Sequence, residues 1–460
     1  MAAEEPVEVS APAARPTAFL LRHAPWLGAP ELATCLVGSQ ALAHACRAGG
    51  IPGPAPLDID LAWALAPEAG AALLQQHGVH VPTTVGNLDR GTLALKVGGA
   101  RVEITSFRAA NTTAPLRDRL LADLGERDMT IGAIAVELAN GTIHDPHQGL
   151  DHWQQRRIVP VGDVALRVHE HPIRWLRYYR KAHELDFTLE RAVRALTTTT
   201  SPSLLASVPK EAVALELRAM LGKCRSPGRC LLELYEDGVL ASLAPELALQ
   251  FDGRPAGPQR WHPEVSQALH MILALEWAAA NTRDLDERDR LAVLLAVLCH
   301  DLGKGLTPAT EMPQHKGHER SGLLPTEQFL DRWPGLADQK ARTLALHVCA
   351  LHLEVRRFHE LRAGTLAEMY DRWFRGKDYP VDLFARAVAA DTAGRLGMEH
   401  LGLGERERVA RDIDWLRERC ASVDATALRE RFADLDQFKA ALHEARARTL
   451  TDRSRRSGRD

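Results

Sequence analysis

The chain has 460 residues, too many for one ordinary hydrophobic core, so about two to four domains are expected. Its 57 Lys and Arg nearly balance its 60 Asp and Glu, which excludes nucleic-acid binding by bulk charge and leaves only a local basic face for such a partner. No apolar run approaches the roughly 18 residues of a membrane span, and the acidic, Ala- and Pro-rich start lacks a secretion-signal pattern; a cytoplasmic protein with no membrane partner is expected.

In chain order, residues 1–32 read as an N-terminal extension, expected to be disordered in part. Five short apolar or alternating runs follow, at 33–38, 57–63, 92–98, 101–107 and 132–137, bounded by Gly, Pro and Asp. These predict strands. The second run carries Asp58 and Asp60, which in a strand project from one face. Two like charges so close repel, and a divalent cation resolves the conflict while binding phosphates. An acidic pair alone is common on a solvated strand face. Here, however, the preceding strand ends in Gly38-Ser39 and a helix-like segment leads on to the pair. That order resembles the opening of the nucleotidyltransferase fold, in which such a turn grips a triphosphate through backbone N–H groups.

From about residue 164 the spacing is helical, with breaks at 201–203, 226–228 and the Pro- and Gly-rich 251–263, the best linker candidate. In the stretch IRWLRYYRKAH, Arg174, Arg177, Arg180 and Lys181 recur among Trp175, Tyr178 and Tyr179. The basic cluster is a candidate RNA contact, and at helical spacing the aromatic residues favour a core role over a nucleic-acid contact. The basic tail reads as a solubilising end. Seven Cys form no CxxC pair, so reduced, mostly buried thiols are expected.

The apolar run LAVLLAVLC ends in His300 and Asp301. An imidazole and a carboxylate are costly to bury together unless something pairs with them, and a divalent cation satisfies both. Further candidate ligands lie on either side: His270 upstream, then His315, His318, His352 and Asp391 downstream. The order resembles the HD phosphohydrolase superfamily. That resemblance implies an all-α fold and metal-dependent hydrolysis of phosphate esters, with His270, His300, Asp301 and Asp391 as ligands and His315, His318 and His352 as second-metal or phosphate contacts.

The segments VEITSFR (102–108), 126–163 and HEHPIRWLRYYRKAHELDFTL (169–189), with RWHPE, CHDLGKGLTP, HKGHE and GRLGMEH beyond them, make the chain similar to the bacterial tRNA nucleotidyltransferase and poly(A) polymerase family, in its multifunctional CCA-adding form with an HD domain. The resemblance implies an α+β protein: a nucleotidyltransferase head with a small mixed sheet over 33–163, an all-α neck over 164–255, an all-α HD domain over 256–400, and C-terminal helices and tail over 401–460. It implies Asp58 and Asp60 as Mg2+-holding catalytic residues. Gly38, Ser39, Arg108, Arg127, Asp128, Arg174 and Arg177 would be nucleotide-binding. Implied partners are CTP, ATP and the 3' end of tRNA or another RNA, with Ni2+, Mn2+ or Mg2+ in the HD domain and a monomer or homodimer as the assembly.

The departures from the family pattern cluster around the nucleotide. Leu42 and Ala43 stand for an Arg and an Asp, Glu126 for an Arg, Gly132 for an Asn, and His171 for the Asp of the base-reading template. A His does not present the acceptor pattern of an Asp. Three readings compete: a nucleotidyltransferase with a phosphohydrolase, a phosphohydrolase whose head has lost or altered transfer, and a non-catalytic RNA-binding protein.

Overall fold

The computed structural model describes residues 16–55, 58–79, 86–87, 91–108 and 113–451. Residues 1–15 of the expected extension, Leu57 of the second expected strand and residues 452–460 of the tail lie outside the described residues. The chain forms two compact units, one running to Ala182 and including Asp186–Thr200, the other comprising His183–Leu185 and the chain from Ser201. The stretch expected as a neck is thus divided: most of residues 164–200 packs with the head, and residues 201–255 pack with the C-terminal helices.

The first unit is built on one mixed sheet. Its strands are β1 (Cys35–Val37), β2 (Ile59–Trp63), β3 (Gly86–Asn87), β4 (Thr92–Val97), β5 (Ala100–Ser106), β6 (Ala135–Glu137) and β7 (Ile143–His144). They lie in the order β3-β4-β5-β2-β1-β6-β7, with β2 and β5 parallel and every other neighbouring pair antiparallel. A further parallel pair joins β8 (Arg157–Ile158) to β9 (Thr188–Leu189). All five expected strands are present, four within narrower bounds and the fourth in chain order, β5, shifted one residue toward the N-terminus; the first is shortened because its Gly already begins a helix, Gly38–Ala48. Behind the sheet, Cys35, Val37, Ala62, Phe107, Leu120 and Leu124 share one apolar cluster. Burying each of its larger side chains is worth about 1.5–3 kcal/mol.

Among the described residues of the second unit every regular element is a helix, apart from an isolated bridge between Pro255 and Ser266. Its axis is the helix Glu287–Cys299, in which every residue from Leu291 to Cys299 is buried. An apolar run without polar interruption makes a helix that is covered on all sides. The covering helices are Gln267–Ala280, Gln339–Arg356 and Val381–Ala393. Ser266, Asp286 and Asp338 start three of these four helices by accepting the N–H of Leu269, Asp289 and Ala341, which satisfies donors that a helix leaves open. All seven Cys are free and buried, and no described helix is long and apolar enough to cross a membrane.

Candidate functional site

In the first unit the central strands bring three carboxylates together. β2 and β5 run parallel with Asp60 opposite Glu103, so both project from one face of the sheet, and Asp58 precedes β2 by one residue. Asp58, Ile59, Asp60, Arg101 and Glu103 line one cleft of about 180 Å3. Burial raises the Asp60 carboxyl above its ordinary range, and Glu103 and Asp58 push it further. Gly38 stands at φ +64°, and a Cβ there would sit 3.3 Å from Asp60 Oδ2. The positive φ favours glycine there, and an added Cβ would also make a tight contact with the carboxylate. The turn thereby sets the N-terminus of the helix Gly38–Ala48, with Ser39 in its first turn, beside the carboxylates. Helix N-termini favour anions.

A second group in this unit collects the basic residues. Asp128 accepts from Arg174 Nε at 2.7 Å and Arg177 Nη1 at 2.8 Å. Burial would raise its carboxyl, but the two guanidinium groups outweigh that and hold it below the usual range. Asp123 accepts from Arg127 at 2.9 Å and from the Arg108 N–H at 3.1 Å. Arg174 is almost fully buried and also donates to the carbonyl of Glu126 at 2.5 Å and to Glu170 at 3.3 Å. Its planar fork is already filled by acceptors of the chain. Trp175, Tyr178 and Tyr179 have no exposed surface, so they are core. His171, by contrast, is exposed.

In the second unit His270, His300, Asp301, His318, His352 and Asp391 converge, carried by four different helices and the turns beside them. Each His spends Nδ1 on a fixed acceptor. His270 donates to the carbonyl of Gly394 and to Glu264, His300 to that of Val297, His318 to that of His315, and His352 to those of Val348 and Cys349. Every Nε2 is therefore left turned inward. His270 Nε2 lies 3.4 Å from His300 Nε2, and His318 Nε2 lies 3.3 Å from His352 Nε2. Facing ring nitrogens repel whether both carry protons or neither does, and a cation between them removes the conflict.

Asp301 joins the two pairs. Its Oδ2 is 3.2 Å from His300 Nε2 and 3.6 Å from His270 Nε2, while its Oδ1 is 3.1 Å from His318 Nε2 and 3.7 Å from His352 Nε2. Oδ1 is buried with no hydrogen-bond partner among the described residues. Asp391 Oδ1 completes the first group at 3.4 Å from His270 Nε2. Burial opposes both charges, yet His300 and Lys304 hold Asp301, and Arg356 holds Asp391, well below the usual carboxylate range. Burial pushes the His352 imidazole down to about 3, which keeps it neutral and able to ligate. The donor set fits two divalent cations sharing one carboxylate.

His315 stands apart from this centre, because its Nε2 donates to the carbonyl of Pro255 at 2.7 Å and its Nδ1 pairs with Thr307 at 2.9 Å. Three residues not singled out from the sequence enter the sites. Glu103 is the third carboxylate of the head. Glu264 accepts from His262 at 2.7 Å and from His270 at 3.2 Å, fixing the His270 ring. Lys304 donates to Asp301 at 2.7 Å and to Gln267 at 3.1 Å from a buried position.

A family model described as the Poly A polymerase head domain matches residues 51–159, which hold all three carboxylates of the cleft. The multifunctional CCA protein of Pasteurella multocida is 35% identical over 292 residues, 62% of this chain and 67% of that protein. The chain belongs to the multifunctional CCA protein family. That of Xanthomonas campestris is 36% identical over 282 residues, 60% of this chain and 66% of its own length. The Bacillus stearothermophilus CCA-adding enzyme, solved in complex with CTP, shares the fold with a TM-score of 0.65 over 95% of this chain and 93% of that one, at 21% identity. Within this CCA-family fold Leu42 and Ala43 are 4% and 1% exposed, so the residues standing for the family's Arg and Asp are packed into the core.

Proposed function

We propose that the first unit adds or repairs the CCA end of tRNA from CTP and ATP, and that the second hydrolyses 2',3'-cyclic and 2'-phosphate esters. The observation that carries the first part is the convergence of Asp58, Asp60 and Glu103 on one cleft beside the Gly38 turn, in a chain of this family. Three mutually repelling carboxylates fit a hard cation such as Mg2+. When bound, it supplies charge neutralisation to the triphosphate and to the attacking oxygen. The chain's own residues do the rest. N–H groups of the Gly38-Ser39 turn receive phosphate oxygens. Arg108, Arg127 and Asp128 orient the nucleotide, with Arg174 and Arg177 fixing Asp128 in place, so that the tRNA 3'-hydroxyl lies in line with the α-phosphate, and pyrophosphate leaves.

In the second unit His270, His300, Asp301 and Asp391 would hold one ion, and Asp301, His318 and His352 another. The mixture of imidazole and carboxylate suits Ni2+ or Mn2+ and accommodates Mg2+. Glu264 keeps the His270 lone pair aimed inward, and Lys304 keeps Asp301 ionised.

A second reading is favoured by the burial of Leu42 and Ala43 and by the filled fork of Arg174: the hydrolase is the working enzyme and the head has lost or altered transfer. One experiment separates the two. Protein given tRNA trimmed of its 3' end, Mg2+ and labelled CTP or ATP is expected to label the tRNA. No incorporation with either nucleotide overturns the first part of the proposal and leaves the hydrolase reading.

A further inference from the structure

Arg395 follows the helix Val381–Ala393 and sits against the metal centre of the second unit, only 8% exposed. Its Nη2 is 3.9 Å from Asp391 Oδ1, beyond hydrogen-bond reach, and its buried Nε has no partner among the described residues. The side chain makes no hydrogen bond to any described residue. Its neighbour Arg356 instead takes Asp391 Oδ2 at 3.1 Å. A guanidinium buried without acceptors is costly, and chains rarely leave one so. Around the centre the charges already balance, with buried Lys304 and Arg395 and half-buried Arg356 against buried Asp301, Asp391 and Glu264. Two divalent cations would leave the pocket strongly positive. The missing partner is an anion.

We infer that Arg395 is a phosphate-binding residue of the second unit, gripping non-bridging oxygens of the substrate's phosphate through the Nε–H that the chain leaves unpaired. The inference rests on the hydrolase reading and names the contact that selects a phosphate ester. A planar fork that offers two parallel donors matches two phosphate oxygens, and a doubly charged phosphomonoester fits the excess positive charge better than a singly charged diester.

The geometry separates this role from a structural one. An arginine held by hydrogen bonds destabilises the protein when it is removed, whereas Arg395 has only its long 3.9 Å ion pair with Asp391 to lose and its desolvation to recover. In the full-length chain stripped of metal, Arg395→Met is therefore expected to keep or raise the thermal midpoint. With Mn2+ present, inorganic phosphate is expected to raise the midpoint of the unaltered protein and to inhibit phosphate release. In Arg395→Met the phosphate concentration for half effect should rise about tenfold or more, as for loss of a charged hydrogen-bond partner, and Arg395→Lys should recover part of it. A lowered midpoint in metal-free Arg395→Met, or phosphate protection equal to that of the unaltered protein, overturns the inference. If phosphate binds through Arg395 but adenosine 2'-phosphate is never hydrolysed, the subsite stands and the hydrolase reading falls. If adenosine 2'-phosphate is hydrolysed but phosphate binds equally well without Arg395, the subsite falls and the hydrolase reading stands.

Discussion

Asp301→Ala tests the centre of the second unit most directly, because one carboxylate serves both ion groups and also neutralises a buried lysine. Lys304 is 3% exposed, and its ammonium has Asp301 Oδ2 at 2.7 Å and the neutral amide oxygen of Gln267 at 3.1 Å. Removing the carboxylate leaves a buried charge held by an amide alone. Such a loss costs about 3–5 kcal/mol. For a unit of some 250 residues, each kcal/mol lowers the thermal midpoint by about 2–4 °C, so a fall on the order of 10 °C is expected in the metal-free protein. Adding Lys304→Met removes the stranded charge, and the double variant should recover most of that fall. Differential scanning calorimetry of the metal-stripped proteins measures it, and phosphate release from adenosine 2'-phosphate with Mn2+ measures function. Both variants should be inactive, although the double variant is folded. Equal midpoints for Asp301→Ala and the unaltered protein would refute the pairing of Asp301 with Lys304. Phosphate release that survives in either variant would place the hydrolytic centre elsewhere.

Four further outcomes follow from the same geometry. Glu103→Gln should lower nucleotide incorporation by about 10^2–10^3-fold, the loss typical of one electrostatic group, while leaving phosphate release unchanged; incorporation at the unaltered level would remove Glu103 from the head site. Glu264→Gln should weaken Mn2+ binding by about 10–100-fold in an isothermal titration, as for other residues that orient a ligand, and an unchanged isotherm would deny it that role. Gly38→Ala places a Cβ at positive φ and 3.3 Å from Asp60 Oδ2, and should cost about 1–2 kcal/mol in urea unfolding. Burial lowers His347 and His262 from their ordinary 6.5 to about 4. The unfolded chain therefore takes up protons before the folded one, so stability from these groups is full above pH 6.5 and declines as pH falls toward 4. His347→Phe should flatten that decline in midpoint against pH, and an unchanged slope would count against His347 as a source.

The fold was legible where a residue pattern outlasts one turn or one strand. The run Leu291–Cys299 is apolar at every position, and the structure covers it on every side. The alternation around Asp58 and Asp60 gives a strand with Ile59, Leu61 and Trp63 buried. β3, β7, β8 and β9 are two residues each, too short for any period to show, and their pairing is set by the longer strands and helices beside them. The division of the expected neck was hidden for a similar reason. Residues 164–182 carry helical spacing like the segments after them, but Arg174 and Arg177 anchor them to Asp128 of the head. Those ion pairs join positions more than forty residues apart, and periodicity carries no information about them.

The two sites differ in what they write into the sequence. His270, His300, Asp301, His318, His352 and Asp391 are residue types that an apolar helical interior excludes unless they are paired, so each stands out against its neighbours. His315 stood out in the same way, but a buried His satisfied by a carbonyl and a hydroxyl leaves the same trace as a ligand. Glu103 and Glu264 lie inside the segments VEITSFR and RWHPE that carry the resemblance, but nothing in their own pattern marks them as site residues. A glutamate in an alternating strand, or in a Pro-rich loop, is the ordinary residue of a solvated face. Only the register that sets Glu103 opposite Asp60, and the fold that brings Glu264 to His270 Nδ1, turn them into parts of a site. A charge becomes readable when its segment predicts burial, and Arg395 meets that condition only partly. It lies just past the buried helix end Ala387–Ala393, so its sequence is that of an exposed helix terminus, while its surroundings are those of a buried guanidinium whose Nε has no hydrogen-bond acceptor among the described residues.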